Sequence, residues 1–565
     1  MNYKEIYEYW LNDDFFDNKT KMELLSIKED NEEIQDRFYK ELEFGTAGLR
    51  GKIGAGTNRM NSYIVSRATQ GLAEVISEFG EEAKRKGVVI AYDCRHFSSE
   101  FASTAARVLC ENGINVYLFE GMRPTPELSY AVRRLNAMSG IVVTASHNPK
   151  DYNGFKVYWK EGSQILSDIA DRITEKISGI KNFSDIKMLS EQEAIDKGLL
   201  HYIGKEVDDL YIESVKNLAV RDKDIDKNVR IVYTPLNGTG NIPVRRVLKE
   251  RGFNNVFVVP EQELADPDFK TVGYPNPEDI KAFEYSIRLG KKIDADILIA
   301  TDPDCDRLAV MVKQSDGEYK ALTGNQTGAL LIQYILKARI EKRNIPSDPV
   351  IVKSIVTDDL GAKIADNFGV KTVESLTGFK NICGKANEYE TTREYNFIFG
   401  YEESIGFVYG TVVRDKDAVN SSMLLAEAAA YYKNKDMTLL DALEKIYIKY
   451  GYHGENNLSI VLEGIEGQNR ISRMMSEYRK NPLQEIAGIK VVRKIDFLDQ
   501  SEIDVPETNA LKFYLEDGSW YALRPSGTEP KIKLYMYSQS DSADMTRKKL
   551  SSMKEEVLDR LYSIE

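Results

Sequence analysis

The sequence contains few cysteines and no long apolar run. Both features limit the classes of protein to which it can belong. The four cysteines, Cys94, Cys110, Cys305 and Cys383, have no CxxC spacing, which excludes a disulfide framework and a cysteine zinc site and is typical of a reducing compartment. The N-terminus is polar, without the apolar core of a signal peptide, and no apolar run approaches the length of a membrane span. We therefore expect a cytoplasmic protein that has no membrane partner.

An excess of basic residues is also missing. The 76 lysines and arginines are outnumbered by 89 aspartates and glutamates, so the net charge is −13. This balance argues against nucleic acid as a partner, although a basic cluster inside a cleft can still bind small anions. The length of 565 residues predicts about three to five domains.

A pattern of strand, loop, helix and strand occurs three times. The first strands begin at Val88, Val229 and Pro349, and the helices are followed by Gly113, Gly252 and Gly369. Glycine at these positions suits a left-handed helix C-cap, and the continuous β-branched strands are typical of sheets covered on both faces. Three related α/β domains are the simplest interpretation, although any α/β protein produces such patterns.

The two ends of the chain read differently. The first 40 residues predict two or three helices without chemistry of their own. From about Gly454 the pattern predicts a smaller α+β domain, with a helix near Asn469–Arg479, a hairpin around Asp517-Gly518 and a closing helix from Ser542. We predict domains at residues 1–205, 206–322, 323–452 and 453–565.

The segment Thr144-Ala-Ser-His-Asn-Pro149 follows an apolar strand and ends in a turn. Ser146 is therefore expected at a strand end, with its hydroxyl and nearby backbone N–H groups facing solvent. A serine displayed in this way can accept a phosphoryl group and release it again. The signal is ambiguous alone, because Ser-His loops are common, and its weight comes from the motifs downstream.

The segment Asp302-Pro-Asp-Cys-Asp-Arg307 follows another predicted strand. Carboxylates at alternate positions of an extended loop point the same way, so Asp302, Asp304 and Asp306 predict a Mg²⁺ site. The alternative is a solvated acidic turn. Cys305 should point away from the ligands, and Arg307 would lie close enough to assist a phosphate.

Two glycine-containing loops predict anion binding. In Arg524-Pro-Ser-Gly-Thr-Glu-Pro-Lys531, backbone N–H groups, two hydroxyls and Arg524 offer donors, although an ordinary turn is the alternative. In Phe44-Gly-Thr-Ala-Gly-Leu-Arg-Gly51, the glycines allow close approach and Arg50 can pair with a phosphate. Lys156, in a predicted hairpin strand, could return to Ser146, although a lone lysine is more often a surface residue.

The loop Gly400-Tyr-Glu-Glu-Ser-Ile-Gly406 carries Glu402 and Ser404 at alternate positions. Both could face one cavity and bind the hydroxyls of a polyol, but a solvated loop explains the pattern equally. Arg414 and Lys416 follow closely, as possible phosphate contacts or as surface charges.

In this order, the five motifs closely resemble those of the α-D-phosphohexomutase superfamily, and the resemblance covers essentially the whole chain. It is nearest to the phosphoglucomutase branch, which includes bacterial enzymes and phosphopentomutase-like animal relatives. The implied fold is a four-domain α/β architecture around a central cleft, with three related α/β domains and a smaller C-terminal α+β domain. The Glu-Glu-Ser sequence at 402–404, where dual glucose and mannose enzymes resemble Glu-Met-Ser, favours glucose.

The resemblance implies reversible phosphoryl transfer between a sugar phosphate and Ser146, through a bound 1,6-bisphosphate. It implies catalytic groups at Ser146, His147, Lys156 and Arg50, with one Mg²⁺ per chain on Ser146, Asp302, Asp304 and Asp306. The implied substrate-binding residues are Arg307, Glu402, Ser404, Arg414, Lys416, Arg524, Ser526, Gly527 and Thr528.

The expected function is interconversion of glucose 1-phosphate and glucose 6-phosphate, with glucose 1,6-bisphosphate as activator and a monomer or homodimer as the assembly. The alternatives are a phosphopentomutase, a phosphomannomutase or a synthase of hexose 1,6-bisphosphate. A non-catalytic sugar-phosphate sensor is disfavoured, because Ser146 and the three aspartates are all present.

Overall fold

The described residues form four β-sheets, each built from a consecutive part of the sequence. The structure is a computed structural model that describes residues 2–462, 464–501, 503–526 and 530–565. No helix in these ranges is both long enough and apolar enough to cross a membrane.

The first sheet is mixed. Its strands are β1 (Leu49–Lys52), β2 (Val88–Tyr92), β3 (Val116–Phe119), β4 (Ser139–Val143), β5 (Tyr152–Trp159) and β6 (Leu200–Ile203). Their order is β1-β5-β4-β2-β3-β6, with β4, β2, β3 and β6 parallel and β5 returning antiparallel to β4. The helices of this part are α1 (Tyr3–Asn12), α2 (Asn18–Ser26), α3 (Asn31–Phe38), α4 (Ser62–Glu78), α5 (Glu81–Lys86), α6 (Ser98–Glu111), α7 (Thr125–Arg134), α8 (Ser167–Gly179), α9 (Glu191–Asp196) and α10 (Lys205–Lys216).

The second sheet repeats this plan on a smaller scale. Its strands are β7 (Ile231–Thr234), β8 (Val256–Val258), β9 (Ile297–Thr301), β10 (Leu308–Lys313) and β11 (Tyr319–Ala321). Its helices are α11 (Asn241–Glu250), α12 (Pro260–Glu263) and α13 (Glu284–Ile293). Parallel strands β8, β7 and β9 are followed by β10, which returns antiparallel to β9.

The third sheet follows the same plan again. Its strands are β12 (Pro349–Ser354), β13 (Lys371–Ser375), β14 (Asn396–Glu402) and β15 (Gly406–Tyr409). Its helices are α14 (Gly324–Glu341), α15 (Leu360–Asn367), α16 (Phe379–Thr392), α17 (Ala418–Lys433) and α18 (Leu439–Tyr450). Parallel strands β13, β12 and β14 are again followed by an antiparallel return, β15.

The fourth sheet is antiparallel throughout its described strands. The strands are β16 (Tyr452–Val461), β17 (Glu485–Ile486), β18 (Ile489–Asp496), β19 (Leu511–Leu515), β20 (Trp520–Pro525) and β21 (Lys531–Ser540). Two helices, α19 (Gly464–Lys480) and α20 (Ala543–Tyr562), belong to it.

Burial along β2 shows how the first sheet is covered on both faces. Successive side chains of a strand point to opposite faces. Val88 and Ile90 accordingly join the apolar cluster beneath the N-terminal helices, whereas Val89 and Ala91 join a cluster that continues through the second and third sheets. The expectation of doubly covered sheets is confirmed here.

Several local expectations are confirmed. Three helices occupy the first 40 residues, and the closing helix α20 is capped by the Ser542 side chain. The three predicted helix-ending glycines, Gly113, Gly252 and Gly369, all have positive φ, between 69° and 86°. A side chain is disfavoured in this backbone region, so glycine is the residue suited to it.

Candidate active site

Three motifs occupy the same place in the first three sheets, namely the turn between the last parallel strand and its antiparallel return. The serine motif joins β4 to β5, the aspartate motif joins β9 to β10, and the loop with Glu402 joins β14 to β15. Each turn contains a non-glycine residue with positive φ: Ser146 at 52°, Cys305 at 54° and Ile405 at 54°. The repeated topology therefore presents three chemically different loops from equivalent sheet positions.

Ser146 lies at the bottom of its turn, and the expectation that its hydroxyl faces solvent is wrong. Its exposed fraction is 4%. The backbone N–H donates to Thr144 Oγ1 at 2.8 Å, and the hydroxyl donates to Asp302 Oδ2 at 2.7 Å. The aspartate turn of the second sheet packs over the serine, which explains the burial.

The aspartate turn brings its three carboxylates together, although by a different route from the extended loop expected. The backbone turns back at Cys305, whose N–H donates to the carbonyl of Asp302 at 2.9 Å. One carboxylate oxygen from each of Asp302, Asp304 and Asp306 lies within 4.8 Å of the others, and all three residues are buried. Cys305 is fully buried between the ligand positions.

The donor set of this turn fits a hard cation. Asp304 Oδ1 and Asp306 Oδ1 are buried and, among the described residues, accept no hydrogen bond. A buried carboxylate oxygen without a partner is costly, and a divalent ion bound by carboxylates would satisfy both. Burial, reinforced by the Asp304 charge, raises the pKa of Asp302 well above its usual value. These oxygens could hold a metal ion together with Ser146.

Two lysines balance the carboxylates. Lys156 Nζ lies 2.8 Å from Asp304 Oδ2, and Lys416 Nζ lies 2.9 Å from Asp306 Oδ2. Burial opposes the charge on Asp304, but Lys156, Asp302 and Lys416 together outweigh that effect and hold its pKa below the usual range. The hairpin that was expected to return Lys156 toward Ser146 is β4–β5, where Lys156 pairs with Val142.

His147 and Arg50 border the serine on its open side. His147 Nδ1 lies 3.3 Å from Ser146 Oγ. Burial, with Arg307 and Arg50 nearby, lowers the pKa of His147 to about 2, so its imidazole is neutral at physiological pH. Arg50 is exposed and donates to Asn148 Oδ1 at 3.2 Å.

A cavity of about 1130 Å³ opens above these residues, between the first and fourth sheets. Its walls carry a set of basic and hydroxyl side chains: Arg50, Lys52, Arg59, Arg524, Ser526, Lys531 and Lys533. Clustered positive charge in a partly enclosed space favours anionic ligands. Gly527 and Thr528, predicted for the same loop, lie outside the described residues.

The remaining predicted residues do not all lie at the site: some are in or beside the turn between β14 and β15, and one is buried elsewhere. Glu402 Oε1 accepts from the Gly378 N–H at 2.6 Å, and Ser404 lies in the same turn. Arg307 bridges to Gly406 across the second and third sheets. Arg414, by contrast, is fully buried, donating to Asn387 and Glu390, so the structure does not bring it to the cavity.

The structure also places residues at the site that sequence reasoning did not select. Thr125, the first residue of α7, donates its hydroxyl to Asp304 Oδ2 at 3.0 Å and its N–H to the Asp304 carbonyl at 2.9 Å. Tyr274 lines the cavity and lies edge-on to His147, with ring centroids 6.0 Å apart. Neither belongs to a motif with recognisable spacing, so only the fold reveals them.

The chain matches one protein family along most of its length. The matches are to phosphoglucomutase/phosphomannomutase alpha/beta/alpha domain I at residues 41–183, domain II at 209–317, domain III at 323–450 and the C-terminal domain at 472–549. Each matched range contains most of the strands of one sheet.

Similar proteins carry the same family names. A phosphoglucomutase of Staphylococcus haemolyticus is 38% identical over 89% of this chain and 92% of its own length, and one of Staphylococcus epidermidis is 37% identical over 97% and 98%. Among solved structures, the open form of the Paramecium phosphoglucomutase pp63/parafusin matches with a TM-score of 0.69 at 18% identity, covering 93% of this chain and 95% of that one. A Burkholderia thailandensis protein of the phosphoglucomutase/phosphomannomutase family gives 0.67 at 19%, covering 92% and 97%. At these identities the structural likeness concerns the fold.

Proposed function

Because this chain belongs to the phosphoglucomutase/phosphomannomutase family, we propose that it interconverts α-D-glucose 1-phosphate and glucose 6-phosphate. The enzyme class is that of an intramolecular phosphotransferase acting on sugar phosphates. The observation that carries the proposal is the 2.7 Å contact between the Ser146 hydroxyl and Asp302, within a carboxylate cluster that has unsatisfied oxygens.

Ser146 is the proposed phosphoryl carrier. In the first half-reaction the Oγ–P bond of phosphoserine breaks while a P–O bond forms to the free sugar hydroxyl, which loses its proton. In the second, the P–O bond between the sugar and its other phosphate breaks while Ser146 Oγ, which loses its proton, bonds to that phosphorus, and the freed sugar oxygen takes up a proton. His147, Lys156 and Arg50 are the candidate proton-transfer groups beside the serine, and the two cationic side chains can also offset phosphate charge.

The metal ion is proposed to be one Mg²⁺ per chain, held by Asp302, Asp304, Asp306 and Ser146. When bound, it supplies positive charge that stabilises the transferring phosphoryl group. Lys156 and Lys416 contact Asp304 Oδ2 and Asp306 Oδ2, which leaves the Oδ1 atom of each carboxylate for the ion.

Substrate recognition is proposed to use two groups of residues, one from the fourth sheet and one from the third. Arg524 and Ser526, with Gly527 and Thr528, are assigned to the phosphate that is not being transferred, and Arg307 and Lys416 assist. Glu402 and Ser404 are assigned to sugar hydroxyls. Glucose 1,6-bisphosphate as activator, a cytoplasmic location, a monomer or homodimer, and the four domain boundaries given above complete the proposal.

Replacement of the serine tests the central claim. Ser146→Ala should abolish turnover of glucose 1-phosphate and the transfer of label from ³²P-glucose 1,6-bisphosphate to the protein. Ser139→Ala is the matched control, since Ser139 is a buried serine of β4 whose hydroxyl donates to the Tyr158 carbonyl at 2.7 Å. It should keep both activities. Full turnover by Ser146→Ala would refute the phosphoserine mechanism.

Sugar preference needs a separate measurement. Initial rates with glucose, mannose and ribose 1-phosphates, Mg²⁺ and catalytic bisphosphate should be highest for glucose. Faster turnover of the pentose would preserve the mechanism and overturn the substrate.

A further inference from the structure

We propose that Arg95 is a positioning residue, which holds Ser146 in the backbone geometry that phosphoryl transfer requires. The role rests on the proposed function of Ser146. Arg95 follows strand β2 and is itself neither a cavity-lining residue nor a member of the carboxylate cluster, so no motif drew attention to it. Its environment is nevertheless organised around the serine turn.

The Arg95 guanidinium donates hydrogen bonds to backbone carbonyls of the serine turn. Nη2 donates to the carbonyls of Ser146 at 2.5 Å and Asn148 at 2.6 Å, and Nη1 donates to those of Pro149 at 2.8 Å and Tyr152 at 3.2 Å. One planar group with fixed donor directions thus joins four carbonyl oxygens between residues 146 and 152. An ammonium group could not reproduce that arrangement, since it is a point charge on a flexible stem.

A second connection runs through Asp93. Its carboxylate lies 3.3 Å from Arg95 Nε and accepts from the Thr144 hydroxyl at 2.7 Å. Thr144 Oγ1 in turn accepts the backbone N–H of Ser146. The peptide units on both sides of the Ser146 Cα are therefore anchored to one buried ion pair, at the N–H and at the carbonyl.

Ser146 needs this support because of its backbone conformation. Its φ of 52° is in the left-handed region, which a residue with a Cβ adopts only when its surroundings impose it. Relaxation of the turn toward negative φ would rotate the hydroxyl away from Asp302. The carbonyl and N–H anchors resist that rotation.

A loop between α12 and α13, in the part of the chain that forms the second sheet, covers Arg95. The Phe269 ring covers the guanidinium, with its centroid 5.0 Å from Cζ. The neighbouring Asp268 lies 3.2 Å from both His96 Nε2 and Lys150 Nζ, which flank the serine turn. The part of the chain that supplies the aspartate turn thus also fixes the arginine, so nucleophile and carboxylates are set relative to one another.

The test compares Arg95→Lys and Arg95→Met with Arg251→Met. Arg251 is a matched control, because it is also largely buried and donates to a backbone carbonyl and a carboxylate, at the boundary of the second and third sheets. We expect kcat per titrated phosphoserine to fall about 100-fold in both Arg95 variants, with KM within about twofold of the wild type. Arg251→Met should lower Tm and leave kcat per site unchanged.

The lysine variant separates positioning from simple structural support. Arg95→Lys keeps a positive charge for Asp93, so it should recover most of the Tm lost in Arg95→Met, but kcat should stay low. If kcat recovers together with Tm, the residue acts only through stability and the proposal fails.

A milder variant covers the case in which the Arg95 variants do not fold. Thr144→Val is nearly isosteric and removes only the link between Asp93 and the Ser146 N–H. We expect kcat about 10-fold lower and KM unchanged. A wild-type kcat per site in this variant would overturn the inference. Failure of the proposed function would be recognised separately, by turnover in Ser146→Ala.

Discussion

One buried apolar cluster runs through the first, second and third sheets, whereas the fourth sheet packs a cluster of its own. We call residues 2–450 the frame and the described residues from Tyr452 onward the fourth unit. The two meet at a smaller apolar cluster, the seam, in which Ile355 and Val356 of the frame pack with Trp520 and Tyr537 of the fourth unit. Gly451, with φ of 93°, joins frame to fourth unit.

Buried charges are used differently in these regions. In the frame, Glu427 accepts from the N–H groups of Val220 and Arg221 and from the Tyr334 hydroxyl, and it pairs with Arg251. At the seam, Lys512 of β19 is fully buried, with Nζ 3.0 Å from the Ile355 carbonyl and 3.9 Å above Trp520.

The difference indicates which parts can separate. Separating the sheets of the frame would expose a continuous apolar core and leave several buried charged groups without their partners. Opening the seam exposes a small apolar patch and breaks a few polar contacts, among them those of Lys512 with Ile355 and of Glu455 with Asn325, which costs less free energy. Since the cavity walls come from both the frame and the fourth unit, movement at the seam would change the cavity and leave the serine and aspartate turns intact.

The largest expected effect on activity comes from the carboxylate cluster of the frame. Asp304→Asn removes an oxygen that has no other partner and leaves Lys156 without its nearest carboxylate, so we expect kcat to fall more than about 100-fold. The check is a Mg²⁺ titration of initial rates. Asp316→Asn, an exposed aspartate near β10, is the control and should behave like the wild type. An unchanged Mg²⁺ requirement would remove Asp304 from the ligand set.

The next effect concerns frame stability. Glu427→Ala should lower the free energy of unfolding by about 3–5 kcal/mol, because it leaves a buried arginine and several donors without their acceptor. Thermal unfolding monitored by near-UV circular dichroism measures the change, with exposed Glu388→Ala as the control. A loss below about 1 kcal/mol would contradict the view that these ions join the sheets.

A smaller effect is expected at the seam. Lys512→Met keeps an apolar stem over Trp520 but deletes the hydrogen bond to Ile355 and the 3.5 Å contact with Glu374, at a cost of about 1 kcal/mol. Limited proteolysis near Gly451 should become faster, while the Tm of the frame stays constant. Lys494→Met, on the adjacent strand β18, is the control. Equal proteolysis of Lys512→Met and the wild type would mean that this lysine does not hold the seam closed.

The smallest effect is a pH dependence at the same boundary. Burial raises the pKa of Glu455, which accepts from Asn325 of the frame, to about 7 from an ordinary value of 4.5. The native protein therefore keeps a proton that the unfolded chain has already released, and stability falls as pH rises from about 5 to 7. Glu455→Gln should make this slope shallower and raise Tm at pH 8 by about 2 °C.

The pH profile has a clear control. Glu485→Gln, at the exposed position of strand β17, should leave the profile of Tm against pH unchanged. Parallel profiles for Glu455→Gln and the wild type would show that Glu455 does not titrate between these values.

Local patterns predicted much of the architecture. The helix-ending glycines, the Ser542 cap, the strand before the serine and the hairpin at Asp517-Gly518 depend on residues a few positions apart. Short-range hydrogen bonds and side-chain alternation determine such features, and both can be read from the sequence. The family resemblance then supplied the order of the domains.

Other features depended on contacts across the chain. Ser146 and Asp302 are 156 positions apart, and their 2.7 Å contact requires the first two sheets to meet. Local alternation wrongly placed the serine hydroxyl in solvent, because the covering turn belongs to another sheet. Arg414 and Lys416 are neighbours in sequence, yet one is buried against Glu390 and the other pairs with Asp306.

By itself, the sequence determined which chemical groups the protein carries, in what order, and on which kinds of turn. The tertiary structure decided which of these groups share a site, which charges are buried in pairs, and that Arg95 holds the serine turn. The physical reason is the distance along the chain over which each kind of interaction acts. Backbone propensity and capping act over a few residues, whereas burial and charge pairing depend on neighbours that only packing brings together.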